Sequence, residues 1–320
     1  MSIEKTNEET TSTIPNMAEH NQFIVGDNLT LLQAIPAESV DMIYMDPPYN
    51  TGRNFHYFQD RFADFPVFME ERIRECHRVL KKNGNIIIHI EPRISHILRM
   101  ICDKIFGESK FCNEIVWQTG GNSKNKYQLG RGHDTIIVYA KSSSSKFFPL
   151  YKEYDATYLS HANMCPHRNE LYTTSAAHSS QPEVNPRPNL RYEWNGHTKQ
   201  WHISRERMQT LHDDHRLEYN SSGIPRIKRY VSEMEGIPIR DVWDDISSIQ
   251  GSEKTKYATQ KPVKLLERIV KLYSEEGDLC LDPFAGSGTL GRACKQLNRN
   301  YLLLDINPEA KEVFESTLPE

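Results

Sequence analysis

Four short apolar runs in this chain each stop at or beside an aspartate: FIVGD (23–27), VDMIYMD (40–46), LCLD (279–282) and YLLLDI (301–306, its acid being Asp305). Runs of this length, bounded by Gly or Pro, suit strands buried on both faces rather than helices. NIIIHI (85–90), EIVWQ (114–118) and DTIIVYAK (134–141) have the same character. Between them lie stretches with apolar residues at helical spacing: 28–35, 66–82, 94–106, 261–274 and 289–297. Asn83-Gly84 is expected to end the second of these helices. Strands alternating with helices predict a largely parallel, doubly wound α/β sheet of seven strands.

The segment 142–256 interrupts this pattern and holds seven of the thirteen histidines. It opens on Ser142–Ser145, read as a flexible link, and has few aliphatic runs. It is expected to be a loop-rich insert or small domain of irregular structure. The organisation is thus a polar, disordered tail (1–20), a first α/β half (21–141), the insert (142–256) and a second half (257–320). His161, Cys165 and His167 have spacings that zinc could use, but histidines in a polar insert are usually incidental, and no metal is expected.

The formal net charge of −4 gives no global sign of nucleic-acid binding, so any such surface must be local. Residues 187–229 carry nine Arg and Lys, interleaved with Tyr192, Trp194, Trp201 and Tyr219. Such a region reads either as a base- and phosphate-contacting surface or as a solvated irregular one. No apolar stretch approaches the ~20 residues that span a bilayer. There is no secretory signal pattern, and the six cysteines form no CxxC pair. These features predict an intracellular, cytoplasmic protein with reduced thiols.

Two loops carry chemistry. In LCLDPFAGSGTL a strand ends at Asp282, a tight loop with Gly286 and Gly288 comes next, and a helix opens at Thr289. Glycines there permit close approach of a ligand to the backbone, or simply a tight turn. An acid at the next strand end, Asp305, is placed to accept hydrogen bonds from ribose hydroxyls. The loop lacks the full GxGxxG of a dinucleotide site, which suits a nucleoside without pyrophosphate. In Asp46-Pro47-Pro48-Tyr49-Asn50 two prolines fix the backbone and remove two donors. A carboxylate beside a rigid carbonyl, with an aromatic ring two residues on, suits a flat ring bearing an amino group. A proline-terminated strand with a solvated aspartate is the plainer alternative. Arg53, Asn54, His56 and Asp60 come after this loop, either ordering it beside a bound base or forming plain surface.

Together, DPPYN (46–50) and DPFAGSGTL (282–290) resemble the amino-group DNA methyltransferases, the N6-adenine and N4-cytosine enzymes. The order, catalytic motif first, resembles the permuted β group of that family. GDNL (26–29), HDTIIVYAK (133–141) and YATQKP (257–262) resemble further family segments. The resemblance implies a seven-stranded class I, Rossmann-like, circularly permuted fold with an inserted target-recognition region. It implies S-adenosylmethionine as cofactor, with Asp27, Asp46, Lys261, Pro262 and Asp305-Ile306 around it. Asp282, Pro283, Phe284, Gly286, Gly288 and Thr289 would form the cofactor loop.

In that reading Asp46 and the Pro47 carbonyl accept hydrogen bonds from a target amino group, Tyr49 stacks on the base, and Pro48 stiffens the loop. The base must be flipped out of double-stranded DNA. Asp rather than Ser before PPY favours adenine N6 over cytosine N4. An RNA or glutamine amino group, or a non-catalytic DNA-binding subunit, are other readings; the last would show damaged loops, and both are intact. Arg53, Arg205, Arg226 and Lys228 are the candidate DNA contacts. The family further suggests a cognate restriction endonuclease as partner, a homodimer, and no membrane association.

Overall fold

The computed structural model describes residues 19–52, 60, 62–120, 126–127, 129–249, 254–255, 257 and 259–318. Two compact units divide the chain: one from the segments ending at Leu150 and starting at Arg240, the other Tyr151–Ile239.

The first unit contains, in order, β1 (Gln22–Val25), α1 (Asn28–Ala34), β2 (Val40–Met45), α2 (Phe65–Val79), β3 (Leu80–Ile90) and α3 (Pro92–Phe106). Then come β4 (Phe111–Gln118), β5 (His133–Ala140), β6 (Val242–Trp243), α4 (Val263–Tyr273), β7 (Leu279–Asp282), α5 (Thr289–Gln296), β8 (Asn300–Asp305) and α6 (Pro308–Ser316). The strands form one sheet in the order β1-β8-β7-β2-β3-β5-β4-β6. All pairings are parallel except those of β5, which runs antiparallel to both β3 and β4. All seven anticipated strands are present. The eighth, β6, is a two-residue edge strand, too short to leave a pattern in the sequence.

Strand alternation splits the core into two layers. Ile43 and Met45 of β2 and Ile86, Ile88 and Ile90 of β3 join one buried cluster with residues of α1, α2 and α3. The opposite face carries α5, whose Gly291 sits so close to Leu303 that an added Cβ would lie 2.7 Å from it. Asn83-Gly84 does not end a helix, contrary to the sequence expectation. Helix α2 stops at Val79 and both residues lie inside β3. Gly84 is there for close packing: a Cβ would fall 2.6 Å from the Asp41 carbonyl on the neighbouring strand. Helix α6 has a clear start signal, Asn307 capping the Glu309 amide (2.9 Å) and Pro308 in the first turn. Among the described residues no helix is long and apolar enough to cross a membrane.

The second unit is more regular than its composition suggests. Residues 163–165, 170–176, 225–230 and 217–219 form a four-stranded antiparallel sheet. Arg191–Trp194 and His197–Gln200 form a hairpin through Asn195-Gly196, both at positive φ (49° and 79°), as a tight two-residue turn requires. The helix Arg205–Asp213 starts at Ser204, whose side chain accepts from the Arg207 amide. Its core is Ala177, Trp201, Met208, Leu211 and Leu217, with Tyr192, Trp194 and Tyr219 packed around them. The aromatics interleaved with basic residues therefore serve this unit's own packing, and their polar tips are used internally. The Trp201 indole donates to Tyr192 O (2.8 Å) and Trp194 to the Tyr219 hydroxyl (3.2 Å).

Candidate active site

Because β1, β8, β7 and β2 are parallel neighbours, their carboxyl ends fall on one edge of the sheet. That edge gathers Asp27, Asp305, Asp282 and Asp46, each at or just past a strand end. β3 and β4 end on the same edge, while the reversed β5 begins there, adding Glu91, Trp117 and Asp134. These residues line one cleft of about 720 Å³, together with Pro47, Pro48, Tyr49, Lys261, Pro262, Pro283, Phe284, Gly286, Thr289 and Ile306. The two chemistry-bearing loops, more than 230 residues apart in the chain, share that cleft.

At the first loop, Tyr49 donates its hydroxyl hydrogen to Asp46 Oδ1 (2.7 Å). The Lys261 ammonium contacts Asp46 Oδ2 and lies 3.2 Å from the Tyr49 hydroxyl. Burial, reinforced by the charge of Asp46, holds the Tyr49 hydroxyl well above its ordinary pKa, so it is a donor at neutral pH. Asp60, for which the sequence offers only a choice between loop ordering and plain surface, orders the loop. Its carboxylate accepts from the amides of Asn50 (2.7 Å) and Thr51 (2.8 Å), and it is buried. Asn50, at φ 51°, accepts the Phe62 amide in return (3.1 Å). Arg53, Asn54 and His56 lie outside the described residues.

At the second loop, the Asp305 carboxyl receives the amides of Gly286 (2.7 Å) and Asn307 (2.8 Å). Asp282 is only 3% exposed and accepts from the Phe284 amide (2.9 Å). Burial pushes the carboxyls of both above the ordinary range despite these amides; at Asp282, the charges of Asp46 and Asp305 add to the effect. Gly286 and Gly288 are at positive φ (50° and 70°), and a Cβ on Gly288 would lie 2.3 Å from the Phe314 ring. Gly288 is thus demanded by the turn and by packing against α6, independently of any ligand. Asp27 caps α1 through the Thr30 amide (3.1 Å) and pairs with Arg72 (3.1 Å). Arg72 also bonds Asn28 Oδ1 (2.7 Å), and the Asn28 amide reaches Pro283 O (2.7 Å), tying the first acid to the glycine loop.

Sequence reasoning gives no role to His89, which backs the cleft-lining residues Tyr44 and Asp134. His89 is fully buried between the Tyr44 hydroxyl (3.0 Å from Nδ1) and Asp134 (3.2 Å from Nε2). Burial holds its imidazole below the usual pKa, so the ring is neutral at pH 7 and braces Asp134 and Tyr44. Tyr257 packs its ring against Gly286, 3.1 Å from where a Cβ would stand.

The remaining candidates lie in the second unit. Arg205 bonds Glu193 O (2.6 Å), and Arg226 bonds Thr174 Oγ1 (2.8 Å). Lys228 is 8% exposed, its ammonium 3.9 Å from Cys165 Sγ and over the Tyr172 ring. Its charge is withdrawn from solvent, so its reading as a DNA contact is dropped. The rings of His167 and His215 stack (4.2 Å), and among the described residues no three acid, His or Cys side chains are grouped as a metal site.

Similarity to known proteins agrees with this geometry. The Mod subunit of the StyLTI type III restriction-modification enzyme of Salmonella typhimurium is 27% identical, over 95% of this chain and 56% of its own length. The DNA adenine methyltransferase YhdJ of Escherichia coli K12 is 29% identical, over 91% of this chain and 80% of its own. The chain thus spans little more than half of the type III subunit. TTHA0409 of Thermus thermophilus, solved with S-adenosyl-L-methionine, shares the fold (TM-score 0.51, 19% identity, 92% of this chain and 91% of that one). Residues 40–316 match the N6/N4 methyltransferase family, described as DNA methylase, and this chain belongs to that family.

Proposed function

We propose that this chain is a DNA methyltransferase that uses S-adenosylmethionine to methylate adenine N6 in a base extruded from double-stranded DNA. The single observation that carries the reading is the cleft shared by Asp46-Pro47-Pro48-Tyr49 and the Asp282–Thr289 loop. The chemistry of its lining fits the cofactor. Seven acids and four basic residues surround the cleft, an acidic excess complementary to a sulfonium cation. Asp305 and Asp282, desolvated and raised in pKa, favour a ligand that brings hydroxyl and amino donors. Phe284 and the exposed Ile306 offer apolar walls for a flat ring.

S-adenosylmethionine, when bound, supplies the activated methyl group. Asp305 and Asp27 would hold its ribose and adenine, and Lys261 and Pro262 its methionine end. Asp46 Oδ and the Pro47 carbonyl accept the two hydrogens of the target amino group, drawing its nitrogen lone pair out of the ring. They also stabilise positive charge as it develops on that nitrogen. The Tyr49 hydroxyl holds Asp46 in place, and its ring stacks on the base. Asp60 keeps the loop from collapsing into the space the base needs. Adenine is the preferred target because Asp precedes the PPY sequence and because the related YhdJ is an adenine methyltransferase. Arg205 and Arg226 remain candidate DNA contacts of the second unit, and a cognate endonuclease or second copy remain candidate partners.

The test is direct. Duplex DNA incubated with radiolabelled S-adenosylmethionine and digested to nucleosides should yield labelled N6-methyladenine. Labelled N4-methylcytosine would correct the base, and absence of label in DNA would overturn the reading.

A further inference from the structure

The cleft is not uniformly acidic. Three of its charged residues stand together at the rim: Glu91 at the end of β3, Arg93 in the first turn of α3, and Arg131 just before β5. Without them the lining has six acids and two basic residues; at the rim, two guanidiniums share one carboxylate. Arg131 contacts Glu91 Oε1 at 2.6 Å and Arg93 the same oxygen at 3.4 Å. The carboxylate is nearly enclosed (11% exposed) while the arginine side chains are open (51% and 55%). Arg93 also donates to the main-chain carbonyl of Tyr49 (3.2 Å).

We propose that Arg93 and Arg131, splayed and held by Glu91, form a subsite for a backbone phosphate flanking the extruded nucleotide. The inference rests on the proposed function and adds to it. A nucleotide whose base enters the acidic depth must leave its phosphodiesters at the mouth, where the cations stand. Each guanidinium has five N–H donors, more than the contacts above use, and its planar fork matches a phosphate. Glu91 fixes the direction of both arginines before DNA arrives. Through its bond to Tyr49 O, Arg93 links phosphate binding to the loop that carries Asp46. Arg93 is therefore a positioning residue as well as a phosphate contact.

The experiment uses the full chain and a duplex bearing the methylation site mapped by sequencing DNA from cells that express it. Single neutral methylphosphonates replace the phosphates on either side of the target base in turn. Wild-type protein should lose about tenfold in affinity at one or two adjacent positions. Arg131→Gln should bind the unmodified duplex less tightly and be indifferent to neutralisation at one of those positions. Its slope of log affinity against log salt should fall by about 0.9, the value for one phosphate contact. Arg93→Gln should show the same indifference together with a lower kcat, and the cofactor KM of both variants should be unchanged. The wild-type scan needs no variant, and Arg131→Lys, which keeps the charge, should retain the wild-type salt slope.

Wild-type indifference to every methylphosphonate would overturn the proposal. So would variants that keep the full wild-type sensitivity, or a change confined to the cofactor KM. A wild-type protein that labels the duplex yet shows any of these outcomes removes only this inference. One that labels no DNA removes the proposed function as well.

Discussion

Two strand ends in this protein are written almost alike, Asp46-Pro47-Pro48-Tyr49 and Asp282-Pro283-Phe284, and stand on neighbouring strands. Their surroundings make them different acids. Asp46 receives the Tyr49 hydroxyl and the Lys261 ammonium, so charge on it is compensated. Asp282 is desolvated, has one backbone amide for a partner among its described hydrogen bonds, and feels the repulsion of Asp46 and Asp305. Nearly the same local sequence thus makes an acceptor held between two donors in one place and a desolvated one in the other. The determinant is what the rest of the fold brings up to each: Lys261, from the segment before α4, at Asp46, and burial at Asp282.

If that contrast holds, its largest consequence falls on catalysis. Asp46→Asn should lower kcat about 10³-fold, the scale of losing one preorganised charged acceptor, with cofactor affinity changed less than about threefold. Single-turnover transfer and calorimetry read the two effects separately, and normal turnover would break the contrast at its catalytic end. A smaller effect is expected from Asp305→Ala, which frees the Gly286 amide: cofactor dissociation constant raised about tenfold, kcat at saturation within about a factor of two. Unchanged affinity by calorimetry would mean that the second loop is not the cofactor's.

The smallest effect sharpens the other end. The Asp282 carboxyl has a folded-state pKa raised above its unfolded value, so the folded state holds the proton more tightly. The associated stability is complete below about pH 4 and is lost as pH rises through the folded pKa. Asp282→Asn removes that loss. The cofactor-free variant should melt about 2–4 °C above wild type at about pH 8, and the gain should shrink toward about pH 4. A gain that is absent at the higher pH, or equally large at the lower, would mean that ionising Asp282 costs the fold nothing.

The sequence makes the sheet legible where burial leaves a mark, as in Ile86, Ile87, Ile88 and Ile90, all fully buried. It misleads where one residue pair serves two purposes: Asn83-Gly84 reads as a helix stop, but Gly84 is a close-packing position between strands. Helix α6 is absent from the sequence expectation although Asn307-Pro308 is a legible start signal for it. In the second unit, strands such as Glu170–Ala176 alternate polar residues with few aliphatics, so they carry no apolar run. Within the cleft, both motif loops are visible because they are contiguous. Glu91, Arg93 and Arg131 are not, since only strand order, and the reversal of β5, brings them to the same edge.

Strand order also has a bearing on how the protein comes into being. β7 and β8, from the last quarter of the sequence, lie between β1 and β2, from its first sixth. While the chain is being synthesised, β2 has no neighbour on that side until more than 230 residues beyond it have left the ribosome, and β1 must wait longer for β8. Such distant pairings close slowly. Until they do, the nascent protein exposes strand edges that invite aggregation.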